Sequence, residues 1–307
     1  MKYNAINAKV SGMSAKLLSH DDYISLYNYS STQDVIMALK SHIPYARLTN
    51  DWTSIETQTF SFLDDDYGKT QSFINDNSIR KYLESLLMKR QIILIKKELR
   101  TIYEINTDRD NKLTYLQVQE FIQTLKGNKI YELLKSSYRG EMTLAQLEIL
   151  LDLHYYTNLW KAKSRYLSGF NRVVATKVNG TEIDMYNIVR LYGLKKHYKP
   201  SKDLMYKYIL PINYRISPET IHQLIETSNE AAMLELIRNT CYGVYFEKEE
   251  GGSETLYKSV GDACRRARRR NPNSIALIIQ YLFKKEMELR RIISIIESVN
   301  YKKYSFH

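Results

Sequence analysis

The sequence is poor in the residues that punctuate a chain. Its 307 residues include 2 cysteines, 5 prolines and 11 glycines. Cys241 and Cys264 lie too far apart for a metal-binding spacing and make no disulfide framework, which fits a reducing compartment. So little Gly and Pro excludes a turn-rich all-β chain, and no stretch alternates apolar and polar residues for long. Long apolar runs are missing as well. The longest nearly unbroken one, Ile275 to Phe283 with Gln280 inside it, is about half of what a bilayer-crossing helix needs. The opening MKYNAINAKVSGM has no apolar segment of a secretory signal, so a soluble chain is expected, one still able to sit on a membrane partner. Nor does the sequence hold G-x-x-x-x-G-K-[ST], G-x-G-x-x-G after a strand, or G-x-S-x-G. No catalytic residue, cofactor site or metal site is expected.

What the chain does have is helix formers and charge. It is 44% hydrophobic and 26% charged, apolar enough to fold, with a formal net charge of +11. That balance admits a nucleic acid, an anionic lipid or an acidic protein surface as partner. The 26 tyrosines, together with the lysines, fit the codon bias of an AT-rich genome and carry little functional weight.

Helical periodicity runs almost from end to end. Ile275, Ile278, Ile279, Leu282, Ile292, Ile293, Ile296 and Val299 fall mostly at three- and four-residue steps, as do Leu144, Leu147, Leu151, His154 and Tyr155. Ile221, Leu224, Ile225, Met233, Leu236 and Ile237 repeat the pattern. Pro218 sits at a first-turn position behind a capping Ser217, and Pro44, Pro200, Pro211 and Pro272 lie in or beside connectors. The expected loops are 49–51, 106–112, 179–181, 199–213, 248–253 and 270–273. The fold class expected is all-α.

An internal repeat organises these helices. Leu18-Ser19-His20-Asp21-Asp22-Tyr23 can be laid against Ile216-Ser217-Pro218-Glu219-Thr220-Ile221. Each shows an apolar residue, a Ser cap, an acidic first turn and an apolar face. Each continues into a second amphipathic helix, 32–39 in one and 229–237 in the other, and a weaker copy runs from Leu113 to Leu134. A different helix precedes each copy, at 7–17, 91–103 and 187–198, and a last one at 291–301 closes the chain. The chain therefore divides into three helical units, 1–85, 86–182 and 183–307, the last including the closing helix.

The anchor segments resemble those of the C-subunit family of V/A-type ATPases, whose members are also called d subunits. The likeness lies in Tyr3-Asn4-Ala5-Ile6-Asn7-Ala8-Lys9-Val10 with the following Leu17-Leu18-Ser19. It lies also in Asp184-Met185-Tyr186-Asn187-Ile188, in Ile209-Leu210-Pro211, and in Asn271-Pro272-Asn273-Ser274-Ile275-Ala276 with Lys285-Glu286-Met287-Glu288-Leu289-Arg290. Three positions depart from the family pattern. The acid and Asn are replaced near Met88-Lys89-Arg90-Gln91, and Arg291 stands where an Asn is usual. The resemblance implies three similar helical domains in a pseudo-threefold funnel on the cytoplasmic face of the membrane rotor ring. The funnel would receive the base of the central axle, made of the D and F subunits, and pass torque without chemistry of its own. A monomer, one copy per complex, peripheral to the membrane, is expected.

Other patterns have plainer readings. Ser19-His20-Asp21-Asp22 holds the residue types of a triad, but neighbours at a helix start cannot converge on one reacting atom, and an N-cap explains them. The stretch 106–114 mimics a calcium loop but carries Asn111 where Gly is needed and Gln117 where a carboxylate is needed. The histidines His20, His42, His154, His197, His222 and His307 show no metal-ligand pairing. The sharpest charge feature is Arg265, Arg266, Arg268, Arg269 and Arg270. These are the candidate partner contacts, toward acidic groups on ring or axle or toward lipid headgroups. The plain alternative is solvated charge favoured by a helix C-terminus. A basic helical nucleic-acid-binding protein is the rival reading for the whole chain.

Overall fold

A computed structural model of the chain describes residues 3–49, 55–105, 111–128, 130–138, 142–198, 200–247 and 252–304. Among these residues there are 14 α-helices and no strand. In chain order they are α1 Asn4–Ser14, α2 His20–Tyr27, α3 Thr32–Ser41, α4 Ile55–Gln71, α5 Asn77–Ile105, α6 Asn111–Thr124 and α7 Tyr131–Ser137. There follow α8 Leu144–Tyr166, α9 Gly169–His197, α10 Lys202–Lys207, α11 Pro218–Glu226, α12 Glu230–Arg238, α13 Ser253–Arg270 and α14 Ala276–Tyr304. Short 3-10 turns, Ile43–Tyr45 and Gly243–Tyr245, follow α3 and α12. The all-α expectation holds.

The helix starts obey the caps read from the sequence. Ser19 accepts the Asp22 amide while the Asp22 carboxylate accepts the Ser19 amide, a reciprocal capping box. Ser217 accepts from the Thr220 amide, with Pro218 in the first turn. Ser31 and Asn229 cap the second helix of the first and third copies, α3 and α12. The anchor stretches at 7, 91, 187 and 291 lie within α1, α5, α9 and α14.

Two contact-defined units divide the chain: 1–82 with 163–307, and 83–162. In the first, α9 and α14 are each 29 residues long, about 44 Å of helix at 1.5 Å per residue. α13 packs on both of them, and α14 also packs on α1, α2, α3 and α4. Met185, Ile188, Leu191 and Tyr192 of α9 meet Ile221, Leu224 and Ile225 of α11 and Met233, Leu234 and Ile237 of α12 in one apolar core. In the smaller unit α5 and α8 are tied by two ion pairs one turn apart. Lys96 Nζ lies 2.5 Å from Asp152 Oδ1, and Arg100 Nε lies 2.6 Å from Glu148 Oε1. Leu99, Val118, Ile122, Leu134, Leu147 and Leu151 are buried there.

Two expected loops are corrected. Residues 179–181 are not a loop but three buried positions in the middle of α9. Asn, Gly and Thr are poor helix formers, yet Gly180 is needed where it stands. A Cβ there would lie less than 3.0 Å from the Cβ, Cγ and Cδ1 of Tyr214, whose ring packs on the bare backbone. Tertiary packing overrides propensity. The stretch 199–213 holds the short α10, started by Ser201 accepting the Leu204 amide. Residues 50–51, 106–110 and 248–251, within three other expected loops, lie outside the described residues, as does most of the calcium-loop mimic.

Candidate functional site

Two buried carboxylates organise the larger unit, one on each long helix. Asp184, 1% exposed on α9, accepts from three successive backbone amides: Tyr214 at 3.1 Å, Arg215 at 2.7 Å and Ile216 at 3.2 Å. The Tyr242 hydroxyl donates to it at 2.9 Å. Burial pushes this carboxyl above its ordinary value, and the four donors pull it back. One turn further along α9, Asn187 accepts the Leu210 amide at 2.8 Å and donates to the Leu210 carbonyl at 3.0 Å. α9 thus holds the irregular stretch 210–216 by its backbone and fixes where Ser217 starts α11.

Glu288 on α14 does the same for the first copy. It accepts the Leu18 amide, just before the capping Ser19, and the hydroxyl of fully buried Tyr45. Lys285 Nζ, itself 2% exposed, lies 2.9 Å from Glu288 and 2.7 Å from the Tyr45 hydroxyl. The parallel is close. Leu18 and Ile216 occupy the same place in the repeat. Tyr45 ends the 3-10 turn after α3, and Tyr242 opens the one after α12. In both tyrosines burial, then the neighbouring carboxylate, pushes the hydroxyl pKa far up, so each remains a donor. Arg291 stands where α9 has Asn187 and stacks over the Tyr23 ring at 4.7 Å. The closing helix serves the N-terminal copy as α9 serves the C-terminal one.

The arginine run on α13 is sorted by its surroundings. All five arginines are exposed, while Val260, Ala263, Cys264 and Ala267 form the buried face of the helix. Arg265 forms an ion pair with Asp262, and Arg268 Nη1 approaches Gln280 Oε1 at 3.4 Å. Arg266 and Arg270, one turn apart on one face, line a cleft of about 350 Å³. Lys177 of α9 and Arg215 of the pinned segment reach the same cleft, with Thr181 and Tyr214 in its wall. Sequence reading found the α13 arginines but missed Lys177 and Arg215. Nothing in their immediate neighbourhood marks them, because three separate segments come together only in the fold.

The remaining sequence candidates take structural places. Ser19 and Asp22 are engaged with each other at the cap. Both cysteines are free, and burial pushes the Cys264 thiol up to about 12. Among the described residues no group of three or more His, Cys, Asp or Glu could hold a metal ion, and no helix is long and apolar enough to cross a membrane.

Comparison with known proteins matches residues 6–304 to a family model described as ATP synthase (C/AC39) subunit. The C subunit of the A-type ATP synthase of Pyrococcus abyssi is 24% identical over 335 aligned positions. These take in 97% of this chain and 86% of the relative.

Proposed function

Because the chain belongs to the ATP synthase (C/AC39) subunit family, we propose that it is a non-catalytic central-stalk component of a V/A-type rotary ATPase. In this reading it joins the membrane rotor ring to the D and F subunits of the axle, and transmits torque for ATP-driven ion transport or for ATP synthesis. The family match along nearly the whole chain is the observation that carries it. It sits on the cytoplasmic face, peripheral to the membrane through the ring, as one copy per complex.

The architecture suits a coupling. Torque passes through a body only if its parts do not slide, and close-packed helices barely compress. The Asp184 and Glu288 pins add directional restraint, since each joins a long helix to the backbone just before a capped helix. Their recurrence supports kinship of the first and third copies, and three related units, 1–85, 86–182 and 183–307, in a pseudo-threefold funnel are part of this proposal. In the middle unit Met88 and Gln91 stand where the acid and Asn would be, so that unit relies on other contacts.

Purification of the tagged chain from its native membranes tests the role. Recovery of a small lipid-soluble ring protein with the axle proteins is expected. Recovery of nucleic acid, or of no membrane component, would overturn it in favour of the basic surface as a nucleic-acid binder.

A further inference from the structure

We propose that the cleft between α9, α13 and the segment 214–216 is a binding site for a phosphate group. Four cations, Lys177, Arg215, Arg266 and Arg270, line a concavity of about 350 Å³ that has no carboxylate in its wall. A helix C-terminus favours cations on its own last turn, which accounts for Arg270 alone among the four. It explains neither Lys177, in the first half of α9, nor Arg215, outside any helix. Bringing four like charges to one concave place raises the local positive potential, which an anion in the cleft would offset.

Asp184, which holds the segment 214–216, does not neutralise the cleft from within. It is buried, and both of its oxygens are occupied by backbone amides and the Tyr242 hydroxyl. Its effect is to fix Arg215, whose amide it accepts at 2.7 Å. The ring of Tyr214, seated on Gly180, forms part of the wall, as does Thr181. The backbone around the site is therefore set before any ligand arrives, which lowers the ordering cost of binding.

Phosphate is the chemistry that fits. Three guanidinium groups offer paired N–H donors in the fork geometry that tetrahedral phosphate oxygens accept. Four positive charges exceed what one carboxylate would balance and match a phosphate monoester or a diphosphate. The size lies at the lower end of small-ligand clefts, about 300–1,000 Å³, and suits a head group more than a polymer strand. The phosphate can come from a soluble compound or from an anionic phospholipid.

Two probes distinguish the sources, both used with the full chain. Inorganic pyrophosphate is titrated calorimetrically. Vesicles of phosphatidylcholine, with and without phosphatidic acid, are co-sedimented with the protein. The cleft variant is Arg266→Gln with Arg270→Gln. The control, Arg265→Gln with Arg269→Gln, takes the same charge from the same helix outside the cleft. All four side chains are exposed, so both variants are expected to fold, and circular dichroism checks this. Loss of two charge-assisted contacts should weaken binding at least about tenfold in the cleft variant and less than about twofold in the control. Cleft-dependent pyrophosphate binding alone assigns a soluble ligand, and cleft-dependent binding to the acidic vesicles assigns a lipid headgroup. Absence of binding to either probe, or equal loss in the two variants, would overturn the site.

Discussion

Replacing Asp184 by Ala removes the acceptor for four donors at once. The amides of Tyr214 and Arg215 lie in partly exposed residues, where water can replace part of what is lost. The Ile216 amide and the Tyr242 hydroxyl belong to residues only 4% and 2% exposed, so water is not a ready substitute. An unsatisfied buried donor costs about 1–3 kcal/mol. Removing a carboxylate that burial disfavours offsets some of this. The net loss expected is about 3–4 kcal/mol, a large part of an ordinary folding free energy. Asp184→Asn keeps one oxygen for some of these donors but turns an amide nitrogen toward others, and should cost about 1–2 kcal/mol. Guanidinium denaturation of the full chain gives the order wild type, Asn, Ala. Amide hydrogen exchange gives the location, with faster exchange at Tyr214, Arg215 and Ile216 in the Ala variant. An Ala variant within about 1 kcal/mol of wild type, or unchanged protection at those amides, would refute the pin.

Gly180→Ala should destabilise by about 1–3 kcal/mol, although Ala is the better helix former, because its methyl meets the Tyr214 ring. Gly12→Ala, exposed on α1 with nothing within 4 Å of its added methyl, should instead stabilise by about 0.5–1 kcal/mol, and thermal melts of both separate packing from propensity. Lys285→Met leaves Glu288 buried with only the Leu18 and Tyr45 donors, and should cost about 3 kcal/mol by denaturant titration. In the folded chain Glu226 is held below its ordinary 4.5 by the Lys202 hydrogen bond, and Glu230 by the Tyr192 hydroxyl and Lys196. Stability drawn from depressed carboxyls is present above 4.5 and lost as pH falls below it, so Glu226→Gln with Glu230→Gln should show a smaller drop in melting temperature than wild type between about pH 6 and about pH 4.

The repeat was legible in the sequence because caps are local. Ser19 and Ser217 act on amides three residues ahead, and an acidic first turn after each marks the same helix start. The motif Asp184-x-x-Asn187 was visible too, but not what it holds, since its partners lie in 210–216 and at Tyr242. Glu288 was more deeply hidden: its partners Leu18 and Tyr45 stand at the far end of the chain, and no local pattern links them. The tyrosines, discounted as a composition effect, include both hydroxyl donors of the pins. Residues 179–181 misled because propensity is a weak prior against a ring packed on a glycine. Of the basic cleft, Arg266 and Arg270 stood out as members of a charge run. Lys177 and Arg215 gave no sign, because convergence of separate segments belongs to the tertiary structure.

ATP-driven ion uptake into membrane vesicles carrying the whole ATPase, followed beside ATP hydrolysis with the chain present and then removed, tests the coupling role most directly. If the chain joins ring to axle, its removal abolishes uptake while the head goes on hydrolysing ATP, and adding the purified chain back restores uptake. Uptake that continues undiminished without the chain would contradict that role.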